Sequence, residues 1–585
     1  MRRYIGAGTE KGIFMHHWLR IAALPVLLAL GAASAAPAPA ISYELAPVLQ
    51  GDAIAALEVT IRLRADKSGV TTLDWADGWA GEDKLGQWAR DIRIQGGTSA
   101  TPAPHGGRIV RSAPGAPLVM RYRIVSAYDA DPSVADSEQA RPVVRPGWFY
   151  SVGEILYARP VGRDDAPARF AWKGPAGIGF ASDTEHSTGL GGRPRSVGDI
   201  LESIAIGGRD LSVTTIMVKG APVRVAHVGR FGFDVRAFDR LAGEVVAVER
   251  DFWRETGAGP FLITAIPLAS MPGRLSYGGT GRSDAFATWI DRDAPLSGLG
   301  WLLAHEYFHS WNARQLGRFP ETAEAEAYWL SEGFTDFYAR RLMLRAGLWT
   351  PEKFAADWNE MLRAYAASSF RTAGNVEAAA KFWTGGQDAE KIPYQRGSML
   401  AALWDRQLQA KGLGDLDTVL RAQRDRLRGA AELPRLTDAF AAEMDRAGLD
   451  IRPDVDRYLA RGEPLFLPED AFGACARLVT ADVPVFDRGW DNAATQRAGN
   501  VLTGVDPASN AYAAGLRDGM KILRRTAGEP GNSTVDFVVE VQDGATKRSV
   551  TFRPAGGKTL RTQQIVLDSA RFAAEPETCK AALAG

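Results

Sequence analysis

The sequence predicts an α+β protein built from several domains. Its 585 residues exceed what one hydrophobic core organises, since single cores stop growing at about 250 to 300 residues. Short β-branched runs that alternate apolar and polar residues occupy 41 to about 172, and a period near 3.6 dominates 296 to about 465. Strand patterns return from about 470 to 585. These observations predict a β-sandwich-like domain, then a domain with a β-rich and a helical part, and then a small β-rich domain.

The first 35 residues have the layout of a cleavable secretory signal. Basic residues precede the apolar run IAALPVLLALGAASA, which ends in the small-residue pattern Ala33-Ser34-Ala35. Pro25 interrupts this run, which is short for a bilayer span. We therefore expect an exported protein, periplasmic or extracellular, with no stable membrane anchor after cleavage. An uncleaved anchor is the alternative.

The remaining boundaries follow changes of pattern. Residues 36–172 form the predicted N-terminal β domain, with runs such as LEVTIRLRA and LVMRYRIVSAY. Residues 173–468 form the second domain, in which strands such as GPFLITAIPLA precede long helices. One of these helices opens with Thr350 as N-cap and Pro351 at its first position. Residues 469–585 form the last domain.

The charge balance argues against partners that are recognised by a strong overall field. Lysine plus arginine total 69, and aspartate plus glutamate also total 69. No global potential therefore attracts nucleic acid or an anionic membrane surface, and we expect no nucleic-acid partner.

The chain contains two cysteines, and both lie near the ends of the last domain. In an exported protein, Cys475 and Cys579 are expected to form a disulfide that closes a loop of about 100 residues. Two buried free thiols are the alternative.

The run WLLAHEYFHSWNARQL places His305, Glu306 and His309 in the order H-E-x-x-H. Positions four apart share one face of an α-helix, so both imidazoles can point at one cation. The carboxylate of Glu306 lies to the side, where it can take a proton from water without being a ligand. A zinc peptidase needs this arrangement, although two surface histidines on a helix give the same short pattern.

A second helical run, YWLSEGFTDFYARR, supplies a third ligand candidate. Glu332 follows His309 by 23 residues, so two antiparallel helices joined by a loop can bring its carboxylate opposite the histidines. Catalytic zinc normally has three protein ligands and one open position. Asp336 lies four residues beyond Glu332 on the same face. We predict that it accepts the outer N–H of a ligand histidine, His305, and so fixes its tautomer.

Three motifs resemble the M61 peptidases, the glycyl aminopeptidase family of gluzincins. They are HEYFHSWN, YWLSEGFTDFY and PYQRGSMLAALWD, and they occur in the family's order and spacing. The resemblance extends over nearly all of the predicted mature chain and implies that the second domain is thermolysin-like. It also implies peptide substrates and the removal of small N-terminal residues such as glycine and alanine.

The resemblance assigns roles residue by residue. His305, His309 and Glu332 would bind one Zn²⁺ per chain, and Glu306 would be the general base and then the proton donor to the leaving amine. Tyr394, just before a helical run, falls where related aminopeptidases place a tyrosine that hydrogen-bonds the tetrahedral intermediate.

The stretch YGGTGRSDAF departs from the family pattern. The family's Gly-Gly-Leu-Glu-His-like segment provides a glutamate for the free amine of the substrate, but here Gly281 and Arg282 stand where Glu and His are expected. Asp284 is a candidate replacement, and an Arg282–Asp284 ion pair is the alternative. The candidate substrate-binding residues of this stretch are Tyr277, Gly278, Gly279 and Asp284.

The last domain resembles a PDZ module over VLTGVDPASNAYAAGLRDGMKIL. Such modules can bind an extended peptide at a sheet edge and capture its C-terminal carboxylate, which would make a peptide C-terminus a second partner. A module that only packs against the peptidase is the alternative.

Three functions are consistent with the sequence. The first is an exported zinc aminopeptidase that releases small N-terminal residues. The second is a zinc endopeptidase without a free-amine requirement, which the missing amine anchor favours. The third is a non-catalytic exported peptide-binding protein, against which the presence of Glu306 and Tyr394 argues.

Overall fold

A computed structural model describes residues 41–136, 141–185, 194–255, 259–271, 275–282, 284–320 and 322–585. The predicted signal segment 1–35 lies outside the described residues. These residues belong to one unit of the chain, Ala40–Gly585. No described helix combines the length and the apolar character that a bilayer crossing requires.

Three sheets and a hairpin build the N-terminal β region. The largest sheet has the order β13 (Ala168–Trp172), β1 (Ile41–Gln50), β2 (Ala53–Arg64), β9 (Pro117–Ile124) and β6 (Ala89–Gln95). A second has the order β12 (Arg159–Pro160), β3 (Val70–Asp74), β8 (Arg108–Arg111) and β7 (Ser99–Pro102). A third has the order β10 (Val143–Val144), β11 (Trp148–Val152), β15 (Ile204–Gly208) and β14 (Gly179–Ser182). The hairpin pairs β4 (Gly78–Trp79) with β5 (Glu82–Asp83).

The third sheet crosses the predicted boundary at residue 172. Strands β14 and β15 follow that boundary in the sequence, yet β15 pairs with both β11 and β14. Backbone pairing therefore attaches β14 and β15 to the N-terminal β region. The local strand pattern is the same on both sides of residue 172. Only the non-local pairing shows which strands belong to the N-terminal β region.

The central sheet carries one wall of the site. Its order is β16 (Ser212–Val218), β17 (Ala221–His227), β18 (Phe261–Leu268), β20 (Ala285–Asp291) and β19 (Tyr277–Gly281). Strands β17, β18 and β20 run parallel, and β19 is antiparallel to β20 at the edge of the sheet. The helix α3 (Val235–Phe252) connects β17 to β18. All seven residues of β20 are buried, as expected for a strand covered on both faces.

Helices follow the central sheet and form the other wall. They are α4 (Leu296–Phe308), α5 (Tyr328–Arg345), α6 (Pro351–Ala367), α7 (Asn375–Lys381), α8 (Gly386–Ala410), α9 (Leu416–Leu427), α10 (Leu436–Ala447) and α11 (Arg452–Asp454). Two short helices, α1 (Gly153–Leu156) and α2 (Val197–Leu201), belong to the N-terminal region. Single turns of 3-10 helix occur at Leu85–Trp88, Asp183–Glu185 and Glu324–Ala327, and a π-helix at Val455–Ala460.

Two glycines set the distance between α5 and α8. A Cβ added to Gly333 would lie 2.4 Å from the Cα of Gly397, and a Cβ added to Gly397 would lie 1.8 Å from the carbonyl oxygen of Trp329. The two backbones therefore approach more closely than any larger side chain would allow. This contact brings Tyr394, one turn before Gly397, next to the helix that carries Glu332.

The C-terminal region contains two small sheets and four helices. A long pair joins β21 (Ala476–Phe486) to β25 (Ala555–Leu567), and the other sheet has the order β22 (Lys521–Ala527), β23 (Phe537–Asp543) and β24 (Thr546–Phe552). The helices are α12 (Asn492–Arg497), α13 (Asn510–Ala513), α14 (Ser569–Ala574) and α15 (Pro576–Ala584). A disulfide joins Cys475 to Cys579 across 104 positions. Helix α15 packs on α5, where Arg341 Nε donates a hydrogen bond to the carbonyl oxygen of Ala584.

The central sheet separates the two largest hydrophobic cores. On β18, Leu262 and Ile266 face the core of the N-terminal β region, whereas Ile263 and Ala265 face the core of the helices. The alternation of side chains along a strand explains the division. The H-E-x-x-H motif lies on α4, next to the edge strand β19.

Candidate metal centre

Three side chains from two helices converge on one point. His305 is in the last turn of α4, His309 is its C-cap, and Glu332 is in the first half of α5. The Nε2 atoms of the two histidines are 3.1 Å apart, and the Oε2 atom of Glu332 lies 3.3 Å from one and 3.4 Å from the other. All three ligand atoms lie within 4.8 Å of one another. The structure therefore assembles the predicted donor set of two imidazoles and one carboxylate.

The outer ring nitrogens of both histidines are held by acceptors. His305 Nδ1 lies 2.8 Å from Asp336 Oδ1, and His309 Nδ1 lies 2.8 Å from the carbonyl oxygen of Asn312. A carboxylate and a carbonyl only accept, so both Nδ1 atoms donate and both Nε2 atoms remain available as ligands. Asp336 occupies the position expected of it. The role of the Asn312 carbonyl was not predicted.

Asn312 also fastens α4 to α5. Its side-chain amide donates to the carbonyl oxygens of Leu330 and Ser331 at 3.0 and 2.9 Å, and to Thr335 Oγ1 at 3.1 Å. The residue is 1% exposed, so solvent does not compete with these bonds. One buried side chain thereby fixes the relative position of the histidine pair and Glu332.

Burial and the neighbouring side chains shift the pKa values of the candidate ligands. Burial lowers the pKa of His305, but hydrogen bonds to Asp336 and Glu332 outweigh it and raise the pKa to about 10. Burial raises the pKa of Glu332, yet the neighbouring histidines hold it well below its usual range. A cation requires neutral imidazole, so metal binding here competes with protons and weakens as the pH falls.

Glu306 is buried between α4 and the edge strand. A Cβ added to Gly279 of β19 would lie 2.6 Å from Glu306 Cδ, so only glycine leaves room for the carboxyl group. Burial raises the pKa of Glu306, while His305 and His309 act to lower it. A carboxylate with a raised pKa is suited to accept and return a proton near neutral pH.

Tyr394 stands on the opposite side of the histidines, on α8. Its ring is nearly parallel to that of His305 at a centroid distance of 6.0 Å. Burial, followed by Glu332, raises its pKa, so the hydroxyl keeps its proton. It is therefore available as a hydrogen-bond donor to a substrate oxygen.

These residues line a cavity of about 770 Å³ between the N-terminal β region, the central sheet and the helices. The lining includes His305, Glu306, His309, Glu332 and Tyr394. The lining residues that sequence reasoning missed, because no local motif marks them, include Trp79, Glu154, Glu202 and Trp383.

The candidate substrate-binding residues between Tyr277 and Asp284 do not all lie at the cavity. Gly279 lines the cavity as part of β19, which also contains Gly278, whereas Tyr277 lies against α4 near Gly298. Asp284 is not among the described residues that line the cavity. It is 8% exposed and lies 3.4 Å from Arg195, and burial raises its pKa to about 6 although Arg195 lowers it.

Arg282 does not pair with Asp284 either. Its Nε donates to the carbonyl oxygen of Glu202 at 3.2 Å, and its Nη2 donates to that of Leu201 at 3.1 Å. Its nearest carboxylate is Glu154, at 3.9 Å. Both side chains of the predicted pair point away from each other because each finds a partner in the N-terminal β region.

Comparison with known proteins agrees with this geometry. Residues 299–399 match the family model for M61 glycyl aminopeptidases. An aminopeptidase N family protein from Idiomarina loihiensis is similar with a TM-score of 0.66 at 14% identity, over 93% of this chain and 100% of that one. An M1 zinc metallopeptidase from Deinococcus radiodurans has a TM-score of 0.47 at 16% identity, over 73% and 95% of the two chains. A comparison with curated proteins gave no match.

The family match covers the candidate metal ligands, Glu306 and Tyr394. His305, Glu306, His309, Glu332 and Tyr394 all lie within 299–399. At 14% identity, the likeness to the Idiomarina protein shows the fold alone. The family match confirms the resemblance to M61 peptidases over residues 299–399 and supports a metallopeptidase.

Proposed function

We propose that this protein is a zinc-dependent aminopeptidase that releases small N-terminal residues, such as glycine and alanine, from peptides. The observation that carries the proposal is the convergence of His305, His309 and Glu332 within 4.8 Å, beside Glu306. Two imidazoles and one carboxylate form a donor set of catalytic zinc sites, which keep one position open. We expect one ion per chain.

The protein's own groups divide the chemistry between them. Zn²⁺ held by the three ligands would supply a Lewis acid that polarises the scissile carbonyl and acidifies water. Glu306 accepts the proton of the attacking water and passes it to the leaving amine. The hydroxyl of Tyr394 donates a hydrogen bond to the carbonyl oxygen as negative charge develops on it.

The edge strand and two carboxylates support an aminopeptidase. Among the described strands, β19 is the edge strand of the central sheet, and an extended peptide can add beside it as a further strand. Glu154 and Glu202 line the same cavity, and Glu154 has 18% of its side chain exposed. Either carboxylate can hold the substrate's ammonium group, which the departure at Gly281 and Arg282 leaves without its family partner.

The same departure favours an endopeptidase as the second candidate. An enzyme without an amine pocket would cleave peptides whether or not the N-terminus is free. Glycyl and alanyl arylamides distinguish the candidates when they are compared with their N-acetylated forms. We expect hydrolysis of the free-amine substrates only. Equal hydrolysis of both forms would refute the aminopeptidase.

Three variants and one matched control test the roles. Glu306→Gln should keep one zinc per chain by elemental analysis and lose turnover, and retained turnover would refute the mechanism. Glu154→Gln should raise KM for alanyl arylamide without loss of zinc. The matched control is Glu352→Gln, because Glu352 is exposed on α6, outside the cavity lining. An unchanged KM in Glu154→Gln, together with a raised KM in Glu202→Gln, would assign the amine to Glu202.

Two further parts of the proposal concern the ends of the chain. Export by a signal at 1–35 is supported by the Cys475–Cys579 disulfide, which suits an oxidising compartment. N-terminal sequencing of the mature protein tests it. A PDZ-like role for the last region is supported by the largely exposed edge strand β22 and a small separate core beneath it. Titration with C-terminal peptides tests that role, and no saturable binding would leave the region as a packing module.

A further inference from the structure

A hairpin of the N-terminal β region reaches across the mouth of the active-site cavity. Strands β4 and β5 pair Trp79 with Glu82, and the turn between them has φ of +52° at Ala80 and +82° at Gly81. A Cβ added to Gly81 would lie 3.6 Å from Trp383 Cε3. The tip of the hairpin therefore contacts an indole ring that follows α7, on the helical side of the cavity.

Trp383 is not a core residue. It is 63% exposed, although the neighbouring Phe382 is 5% exposed. Because Trp383 lines the cavity, its exposed indole is accessible to a ligand there. Both Trp79 and Trp383 line the cavity, and the contact between the hairpin tip and Trp383 joins its N-terminal and helical walls.

Arg282 holds the hairpin in this position. Its guanidinium lies over the Trp79 ring, 4.4 Å from the centroid. Hydrogen bonds from Arg282 to the carbonyl oxygens of Leu201 and Glu202 fix the plane of its guanidinium. Arg314 in turn donates a hydrogen bond to the backbone carbonyl oxygen of Arg282. A planar cation locked by these bonds is a rigid support for an aromatic ring. Arg282, which stands where the family has a histidine, thus acts on the shape of the cavity.

We propose that Trp79 and Trp383 close one end of the cleft and restrict this site to peptides that present a chain end. The inference rests on the proposed peptidase function and adds a specificity device to it. A cleft blocked at one end cannot accommodate a polypeptide that continues in both directions. Arg282 is a positioning residue in this device, since it acts through Trp79.

The test compares two peptides that share a core sequence, with zinc-loaded full-length protein. One has a free N-terminus, and the other is N-acetylated and extended at both ends, so that only internal cleavage is available. Mass spectrometry identifies the bonds cut, and kcat/KM is measured for each peptide. For the wild type we expect cleavage of the free-ended peptide alone. For Trp79→Ala/Trp383→Ala we expect the ratio of internal to terminal cleavage to rise at least tenfold.

Val376→Ala is the matched control, because Val376 lies on α7 and is 66% exposed but does not line the cavity. Its ratio should equal that of the wild type. Arg282→Ala should shift the ratio in the same direction as the tryptophan variants, and Arg282→Lys should restore it only in part, because an ammonium group lacks the planar fork. A loss of stability alone would lower both rates without moving their ratio.

The outcomes separate the two proposals. An unchanged ratio in an active double variant would overturn the closed end and leave the peptidase intact. Equal cleavage of both peptides by the wild type would also overturn the closed end and leave the peptidase function intact. No cleavage of any peptide by the zinc-loaded wild type would refute the proposed function, and the inference with it.

Discussion

Gly279→Ala is expected to disable the general base without disturbing the fold or the metal. The added Cβ would lie 2.6 Å from both Cδ and Cγ of Glu306, well inside van der Waals contact. The atoms in the way are the far end of a flexible side chain, so the carboxyl group can swing aside at low cost. The φ of Gly279 lies outside the left-handed region, so alanine adds no backbone strain.

The size of the effect follows from the displacement. To restore an ordinary carbon–carbon separation of about 3.5 Å, the carboxyl group must retreat by about 1 Å. A misplacement of about 1 Å can cost about 10²-fold in rate, or about 2.7 kcal/mol in activation free energy. We therefore expect kcat for alanyl arylamide to fall about 10²-fold in Gly279→Ala. Zinc content and melting temperature should stay close to those of the wild type.

Gly298→Ala provides the matched control, because Gly298 lies where α4 meets the same strand. Its added Cβ would lie 3.6 Å from the hydroxyl of Tyr277, which is an ordinary contact. This variant should keep full activity and gain slight stability, since alanine suits a helix better than glycine. A kcat in Gly279→Ala within threefold of the wild type would refute the assignment of Glu306. Loss of zinc in Gly279→Ala would instead show that the strand supports the ligands.

Three further predictions concern the metal, the disulfide and the core. Asp336→Asn should weaken zinc affinity about 10- to 100-fold in competition with a chelator, because the ligand histidine loses its anionic acceptor. Cys475→Ser/Cys579→Ser should speed amide exchange in β21 and β25 by up to about three orders of magnitude. In the chain-entropy model, a disulfide that closes a loop of 104 positions contributes about 4.7 kcal/mol to the free energy of unfolding. Glu249→Gln should be more stable than the wild type at pH 8 and gain less at pH 5, as measured by thermal melting.

The sign for Glu249 follows from its burial. Both carboxyl oxygens are buried without a hydrogen-bond partner among the described residues, and burial raises the pKa well above its usual value. The folded wild type therefore binds a proton that the unfolded chain has released, and it loses about 1.4 kcal/mol per pH unit between the usual and the raised pKa. Glutamine removes this loss. An equal gain at both pH values would contradict the reasoning.

The outcomes for the other two variants are equally definite. Full zinc occupancy of Asp336→Asn at limiting zinc would remove the proposed role of that carboxylate. Unchanged amide exchange in the cysteine variant would refute the stabilising role of the disulfide, because its loss should favour every opening that separates the two cysteines.

The donor types and their spacing could be predicted because they depend on local helix geometry. His305 and His309 share a face in any α-helix, and Glu306 necessarily lies beside them. The position of Glu332 needed a second helix, and the three motifs in order supported its inclusion. Asp336 followed from Glu332 by the same four-residue spacing. None of these predictions required knowledge of the sheets.

The cavity walls could not be predicted, because they come from segments far apart in the chain. Glu154 and Trp79 reach the site only through the packing of the N-terminal sheets, and no motif in their own neighbourhood distinguishes them. Asp284 is close to a cavity residue in the sequence but does not line the cavity. It lies five residues beyond a cavity-lining glycine, but its buried carboxylate faces Arg195, which the sequence alone does not place nearby.

The sequence by itself determined which groups are candidates for the chemistry, because the proposed ligands and base sit at fixed intervals along two helices. The tertiary structure decided what the site can admit. The edge strand over Glu306, the carboxylates of the N-terminal region and the contact between hairpin and Trp383 all arise from non-local packing. Local geometry sets the reactive centre, and long-range packing sets the shape and charge of the space around it.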